Sequence, residues 1–194
     1  MDLNIEMLEK MFDLKEIDID NNIILKEVNI NITSEEFYDY LNSKIGVDRL
    51  GEVVFAFLNN NKILLVRQDE YPEGIYRIPS GGIGINEKVL HALKREVIEE
   101  LGYNIKKYKF IGAIKYNLIY INNYLTFYSF VFLIEDFVKD NNAEIDGEIS
   151  EVYFANMNEI NNYLFKIKEQ KGFWGDWGKL RYESTFIVYE YLNK

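Results

Sequence analysis

Four glutamates, an arginine and a glycine stand at fixed intervals in the middle of this chain. Gly81 is followed after five residues by Glu87, and after seven more by Arg95-Glu96-Val97-Ile98-Glu99-Glu100-Leu101-Gly102-Tyr103. Carboxylates this close together repel one another unless cations share the site. Hard divalent ions with oxygen ligands are their natural partners, so Mg2+ or Mn2+ is implied, held against a phosphate. An acidic helix face is ordinarily just solvated, and here the fixed spacing to Gly81 and Arg95 argues for chemistry instead.

The spacing resembles the Nudix box, Gly-x5-Glu-x7-Arg-Glu-U-x-Glu-Glu-x-Gly-U, where U is aliphatic. The resemblance implies that Glu96, Glu99 and Glu100 are metal ligands, Glu99 and Glu100 foremost, with a carbonyl of Ser80 or Gly81 completing the coordination. Glu87 would support the site or bind through water, and Arg95 would orient the box carboxylates through charge-assisted hydrogen bonds. The general base varies among members of this family. The acidic stretch from Glu144 to Glu151 matches a late loop that can supply it, with Glu148 first and Glu151 second. Ser80 stands where glycine is frequent, and Tyr103 where an aliphatic residue is usual. The implied reaction is metal-dependent hydrolysis of a pyrophosphate bond in a nucleoside diphosphate linked to another moiety. The rival reading is a catalytically silent nucleotide-binding or regulatory module, which an intact set of glutamates argues against. The isomerase branch that uses a cysteine is disfavoured, because this chain has no cysteine.

Substrate choice lies outside the box. Arg67, Arg77 and Lys115 sit on or near strands flanking it and are candidates for phosphate contact. Tyr120 falls in the window where members that cleave dinucleoside polyphosphates carry a tyrosine, although a strand aromatic packed in the core explains it better. The proline that marks many ADP-ribose hydrolases at a similar offset is absent, since Pro72 and Pro79 are the only prolines. His91, well off the apolar stripe, reads as a surface residue.

The elements that must position these groups are legible from periodicity. Val53–Leu58 and Lys62–Gln68 are apolar runs separated by Asn59-Asn60-Asn61, an antiparallel hairpin signal. Ile75–Pro79 reads as a short strand and Ser80–Gly84 as a glycine-rich loop. Residues 86–101 make a helix whose Val89, Leu93, Val97 and Leu101 share an apolar stripe, with the glutamates on the adjoining one. Asn86 is the expected cap and Gly102 the expected left-handed stop. Phe110–Tyr120 and Tyr124–Ile134 read as long strands, residues 135–149 as an acidic loop and Glu151–Phe154 as a short strand. Met157–Glu169 and Lys179–Leu192 read as helices. The resemblance implies an α/β fold, a Nudix-type α/β/α sandwich around a mixed sheet.

Residues 1–50 form an N-terminal extension to the domain at 51–194. They contain a helix near Glu6–Phe12, a strand near Asn22–Ile32 and a helix from Thr33 to Asn42, with Thr33 and Glu36 as a capping box. An extra layer, a dimerisation arm and a substrate lid all fit. Gly172–Arg181, with two tryptophans and three glycines, reads first as an anchor for the last helix, then as an aromatic wall for a base or a dimer contact.

At 194 residues and 48% hydrophobic composition, one core is the simplest arrangement. The formal charge of −10, from 22 basic and 32 acidic side chains, repels polyanions and weighs against a nucleic-acid partner, including RNA caps. No apolar run approaches the ~20 residues that cross a bilayer, and the start Met1–Glu6 does not read as a leader. The expected setting is the cytoplasm and the expected partner a small phosphorylated nucleotide derivative. Homodimers are frequent in the family, which makes dimerisation an expectation.

Overall fold

The computed structural model describes residues 3–14 and 16–194; Met1 and Asp2, on which part of the leader reading fell, lie outside them. The elements in chain order are α1 (Ile5–Phe12), β1 (Ile19–Asn31), α2 (Glu35–Lys44), β2 (Arg49–Asn59), β3 (Lys62–Arg67), β4 (Ser80–Gly84), α3 (Val89–Leu101), β5 (Tyr103–Tyr120), β6 (Asn123–Lys139), β7 (Glu151–Ala155), α4 (Met157–Lys168) and α5 (Gly172–Leu192).

The strands form one mixed sheet in the order β1-β5-β6-β2-β3-β7, with β4 paired to β2. The β1–β5 and β2–β6 pairs are parallel, and the others antiparallel. Alternation along β2 and β3 sends side chains to opposite faces. Val54, Ala56, Ile63 and Leu65 join the core under α2, α4 and α5, while Val53, Phe55, Phe57, Leu64 and Val66 join the core under α1 and α3. This is an α/β/α sandwich around a mixed sheet. Among the described residues, no helix is long and apolar enough to cross a membrane.

The described residues among the first fifty are woven into this sandwich. β1 lies along β5 from Ile24↔Gly112 to Asn31↔Ile119, α1 buries Leu8 and Phe12, and α2 buries Phe37 and Leu41.

Several local expectations are corrected. Ser80–Gly84 is a strand, because β2 supplies a ladder from Arg49↔Gly84 to Val54↔Ser80 that holds even glycines extended. Ile75–Pro79 is not a strand; it makes the isolated Val66↔Arg77 bridge, and its Pro79 carbonyl accepts the Phe55 N–H at 3.0 Å. Asn86 does not cap α3. It sits at φ 65°, and Lys88 is the capping position, without a side-chain bond. Thr33 does not cap α2 either: its hydroxyl and N–H go to Asp176, and the Ser34 side chain accepts from the Phe37 N–H at 3.3 Å. Helix α5 begins at Gly172 rather than Lys179. Glycine is a poor helix former, yet a Cβ at Gly178 would lie 2.5 Å from the Ile167 carbonyl, so the close approach of α4 demands it. β5 and β6 run past the expected limits, to Tyr103 and Lys139.

Candidate active site

The box is assembled by β4 and α3. Strand β4 brings Gly81 against α3 so closely that a Cβ there would fall 2.0 Å from the Glu96 carboxyl carbon. Glycine is therefore what allows the acid to lie on the strand. Gly102, at φ 65°, ends α3 by donating its N–H to Ile98.

Arg95 gathers the neighbouring acids. Its Nε and Nη2 donate to the two Glu87 oxygens at 2.9 and 2.8 Å, Nη2 also to the Gly82 carbonyl at 2.9 Å, and Nη1 to Glu96 and Glu99 at 2.8 and 2.9 Å. Glu87 accepts the Gly84 N–H as well, at 2.9 Å. The Arg95 bonds, and then the Gly84 N–H, hold its carboxyl below the usual range against some desolvation. Glu96 is shifted the other way, because burial outweighs the help it receives from Arg95.

Glu100 stands apart from this clamp. It is 5% exposed, and its Oε2 is buried with no hydrogen-bond partner among the described residues. Burial first, then the charges of Glu96, Asp146 and Glu148, push its pKa up to about 8, against the opposing pull of Arg77. A buried carboxylate with an empty acceptor is costly unless a cation satisfies it. Among the described residues, no three side chains yet converge as a finished metal cage, Glu96 and Glu99 being turned to Arg95.

The box opens on a cleft of about 780 Å³. Asp146 and Glu148, on the loop before β7, line it opposite α3. That loop is fixed by the Asp146 N–H donating to the Glu99 carbonyl at 3.0 Å and by the Glu148 N–H donating to the Asp146 carboxylate at 3.0 Å. Glu151 does not line the cleft; its carboxylate is taken by Arg67 and by the Tyr76 hydroxyl. Arg67 turns the same way and also donates to the Tyr71 carbonyl at 3.3 Å. Tyr120 packs on Tyr38 with ring centroids 4.7 Å apart, away from the cleft, and Lys115 pairs with Glu27 at 2.8 Å on the β1–β5 edge. His91 is exposed.

Arg77 is in the cleft but buried in its floor, its Nε donating to the Tyr71 hydroxyl at 2.6 Å and its Nη1 to the Ser80 hydroxyl at 3.1 Å. Beside it lies a pair the sequence did not single out. Arg181 of α5 donates through Nη1 to Glu52 at 2.6 Å and to Ser80 at 2.9 Å, and Glu52 also accepts from Ser129 at 2.6 Å. Burial pushes the Glu52 carboxyl up, but Arg181 and Ser129 outweigh it and hold the group below the usual range. Neither residue stands out in the sequence: Glu52 follows Asp48 and Arg49, and Arg181 lies between Lys179 and Glu183. Trp174 and Trp177 line the cleft while packing on Tyr71 at 5.6 and 5.0 Å.

Residues 49–173 match the NUDIX domain family. The 8-oxo-dGTP diphosphatase of Buchnera aphidicola subsp. Acyrthosiphon pisum is 34% identical over 74 residues, which are 38% of this chain and 57% of that protein. The chain thus spans little more than half the length of that relative. A NUDIX hydrolase from Nitrosomonas europaea superposes with a TM-score of 0.54 at 18% identity, covering 73% of this chain and 89% of that one. An ADP compounds hydrolase gives 0.53 at 18% identity, over 74% and 72% of the two chains. These two share the fold. With the box, the sandwich and a family match over most of its length, the chain belongs to the Nudix family.

Proposed function

We propose that this protein is a divalent-metal-dependent pyrophosphohydrolase acting on a nucleoside diphosphate linked to another moiety. The observation that carries this is the buried Glu100 Oε2, without a hydrogen-bond partner among the described residues, on the same helix as Glu96, which fills the space a side chain at position 81 would need. The named activity of the Buchnera relative, a nucleotide diphosphatase, supports the same class of substrate.

Glu96, Glu99 and Glu100, with a backbone carbonyl of Ser80 or Gly81, are the groups that would hold Mg2+ or Mn2+. When bound, the ion supplies charge neutralisation at adjacent phosphates and a lowered pKa for water. Arg95 keeps Glu96 and Glu99 in place, and Glu87, with both oxygens already given to Arg95 and Gly84, steadies Arg95 rather than ligating. Glu148 takes the proton from the attacking water, since it lines the cleft whereas Glu151 is bound by Arg67 and Tyr76. Water adds at phosphorus, the bond to the bridging oxygen breaks, and that oxygen leaves with its phosphorylated fragment.

The test is product release from nucleotide sugars, ADP-ribose, dinucleoside polyphosphates and oxidised nucleoside triphosphates, with Mg2+ or Mn2+ and with chelator. Metal-dependent cleavage of one member that is lost in Glu99→Gln and Glu100→Gln supports the reading. Tight binding without turnover in every condition would replace it with a silent sensor.

A further inference from the structure

The cleft has a second wall that the box does not explain, and most of it comes from outside the family match at residues 49–173. Lys44 and Tyr40 on α2 precede that segment, and Trp174, Trp177 and Arg181 on α5 follow it. Arg49 opens β2 and lies over the box itself, since a Cβ on Gly82 would meet its guanidinium carbon at 3.2 Å. Lys44 and Arg49 share one acid, Asp48, at 3.8 and 3.6 Å. Arg181 keeps a buried Nε with no hydrogen-bond partner among the described residues, and the buried Arg49 Nε reaches Asp48 only at 3.6 Å, beyond hydrogen-bonding distance. A buried guanidinium N–H without an acceptor is costly, and an anion in the cleft would relieve it.

Beyond these cations runs a strip of aromatic rings. Tyr40 meets Phe173 at 5.9 Å, Phe173 meets Trp174 at 5.2 Å and Trp174 meets Trp177 at 5.3 Å. Phe173 and Trp174 are only partly buried and Tyr40 is 44% exposed, so ring surface remains open. The helices carrying the strip are locked together at their starts, where Asp176 of α5 accepts the Thr33 and Ser34 N–H groups, both at 2.7 Å.

Resting on the hydrolase reading, we propose that this wall is the substrate-selecting subsite. Lys44, Arg49 and Arg181 receive the phosphate that the box carboxylates do not serve, and the Tyr40–Trp174 strip stacks a nucleobase. The ligand class is a nucleoside di- or polyphosphate held by its base and by the charge beside it. Stacking accepts any base, because every base has a π-face.

The chain's two tryptophans both line this cleft, so its intrinsic tryptophan fluorescence reports on occupancy of the cleft, with Mg2+ alone as the baseline. The probe is α,β-methylene-ADP with Mg2+, which offers no hydrolysable pyrophosphate bond, beside methylenediphosphonate as its base-free counterpart. We expect a saturable fluorescence change with the nucleotide and weaker binding of the diphosphonate, measured by competition. Lys44→Gln combined with Arg49→Gln should weaken both ligands about tenfold or more, whereas Tyr40→Ala should weaken only the nucleotide. These side chains are at least partly exposed, and unchanged melting temperatures would confirm folded variants. Equal affinity for the two probes, no saturable change, or an unaltered Kd in the charge variant overturns the subsite. Hydrolysis in the wild type alongside such a failure would leave the hydrolase standing. Probe binding as expected, with no turnover of any substrate, would leave the subsite standing and remove the hydrolase.

Discussion

Replacing Arg181 by methionine should test how the cleft floor is held. The substitution keeps much of the side-chain volume and removes the charge that faces Glu52. Glu52 is 3% exposed, so its carboxylate would lose a 2.6 Å charge-assisted bond and keep only Ser129 at 2.6 Å and Ser80 at 3.3 Å. Breaking a buried pair from one side costs ~3–5 kcal/mol. For a chain of this size each kcal/mol moves Tm by ~2–4 °C, so the expected fall is roughly 6–20 °C. Glu52→Gln combined with Arg181→Met should recover much of that loss, because the acid is no longer left charged without its facing base. The pH dependence has a definite sign. In the wild type the Glu52 pKa is depressed below 4.5, so the pair's contribution is present above that value and is lost as pH falls through the folded pKa. Without Arg181, burial is opposed chiefly by Ser129 and the charge of Arg77, and the carboxyl protonates more readily. The deficit of the single variant should therefore shrink as pH falls toward 4.5. Urea denaturation of the wild type, the single and the double variants across pH reads all of this. A single variant that loses less than ~1 kcal/mol, or a double variant no more stable than the single, would refute the reasoning.

Other outcomes follow from the site. Gly81→Ala places a methyl 2.0 Å from the Glu96 carboxyl carbon and should displace that acid, cutting kcat by about 100-fold or more with little change in Tm, since the clash is with a side-chain end. Glu148→Gln should lower kcat by ~10²–10⁴ if it is the base, and Glu151→Gln by only a few-fold; equal losses would reassign the role. In chelator, Glu100→Gln should be more stable than the wild type at pH 9. A carboxyl whose folded pKa is raised to about 8 favours the fold at low pH and loses that contribution as pH rises through 8. The advantage should reach roughly 5 kcal/mol, since the rise from 4.5 to about 8 is worth about 1.4 kcal/mol per pKa unit, and it should fade toward pH 5. An advantage that does not depend on pH would show that Glu100 is not buried as a titrating acid.

The parts of the structure that were legible are those written in local chemistry. Asn60 and Asn61 adopt the left-handed turn between β2 and β3, Gly102 stops α3, and the spacing of the glutamates places them on one flank of that helix. What escaped depends on partners distant in sequence. Ser80–Gly84 looks like a loop until β2 supplies its ladder, and Gly178 looks like a break until α4 packs on it. Glu52 and Arg181 meet across 129 positions, with no shared pattern to announce them. Glu151 and Arg67 were reasonable candidates by position, yet register places them opposite each other on β7 and β3, where they pair. Thr33 and Ser34 are both plausible caps, and only the buried Asp176 decides between them.

The most direct test of the central claim is ³¹P NMR of a nucleoside diphosphate derivative incubated with the protein, first in chelator and then with Mg2+ or Mn2+. Pyrophosphate resonances should persist in chelator, convert to phosphomonoester resonances once the ion is added, and persist again in Glu99→Gln and Glu100→Gln. Conversion that proceeds in chelator, or that survives both substitutions, would contradict it.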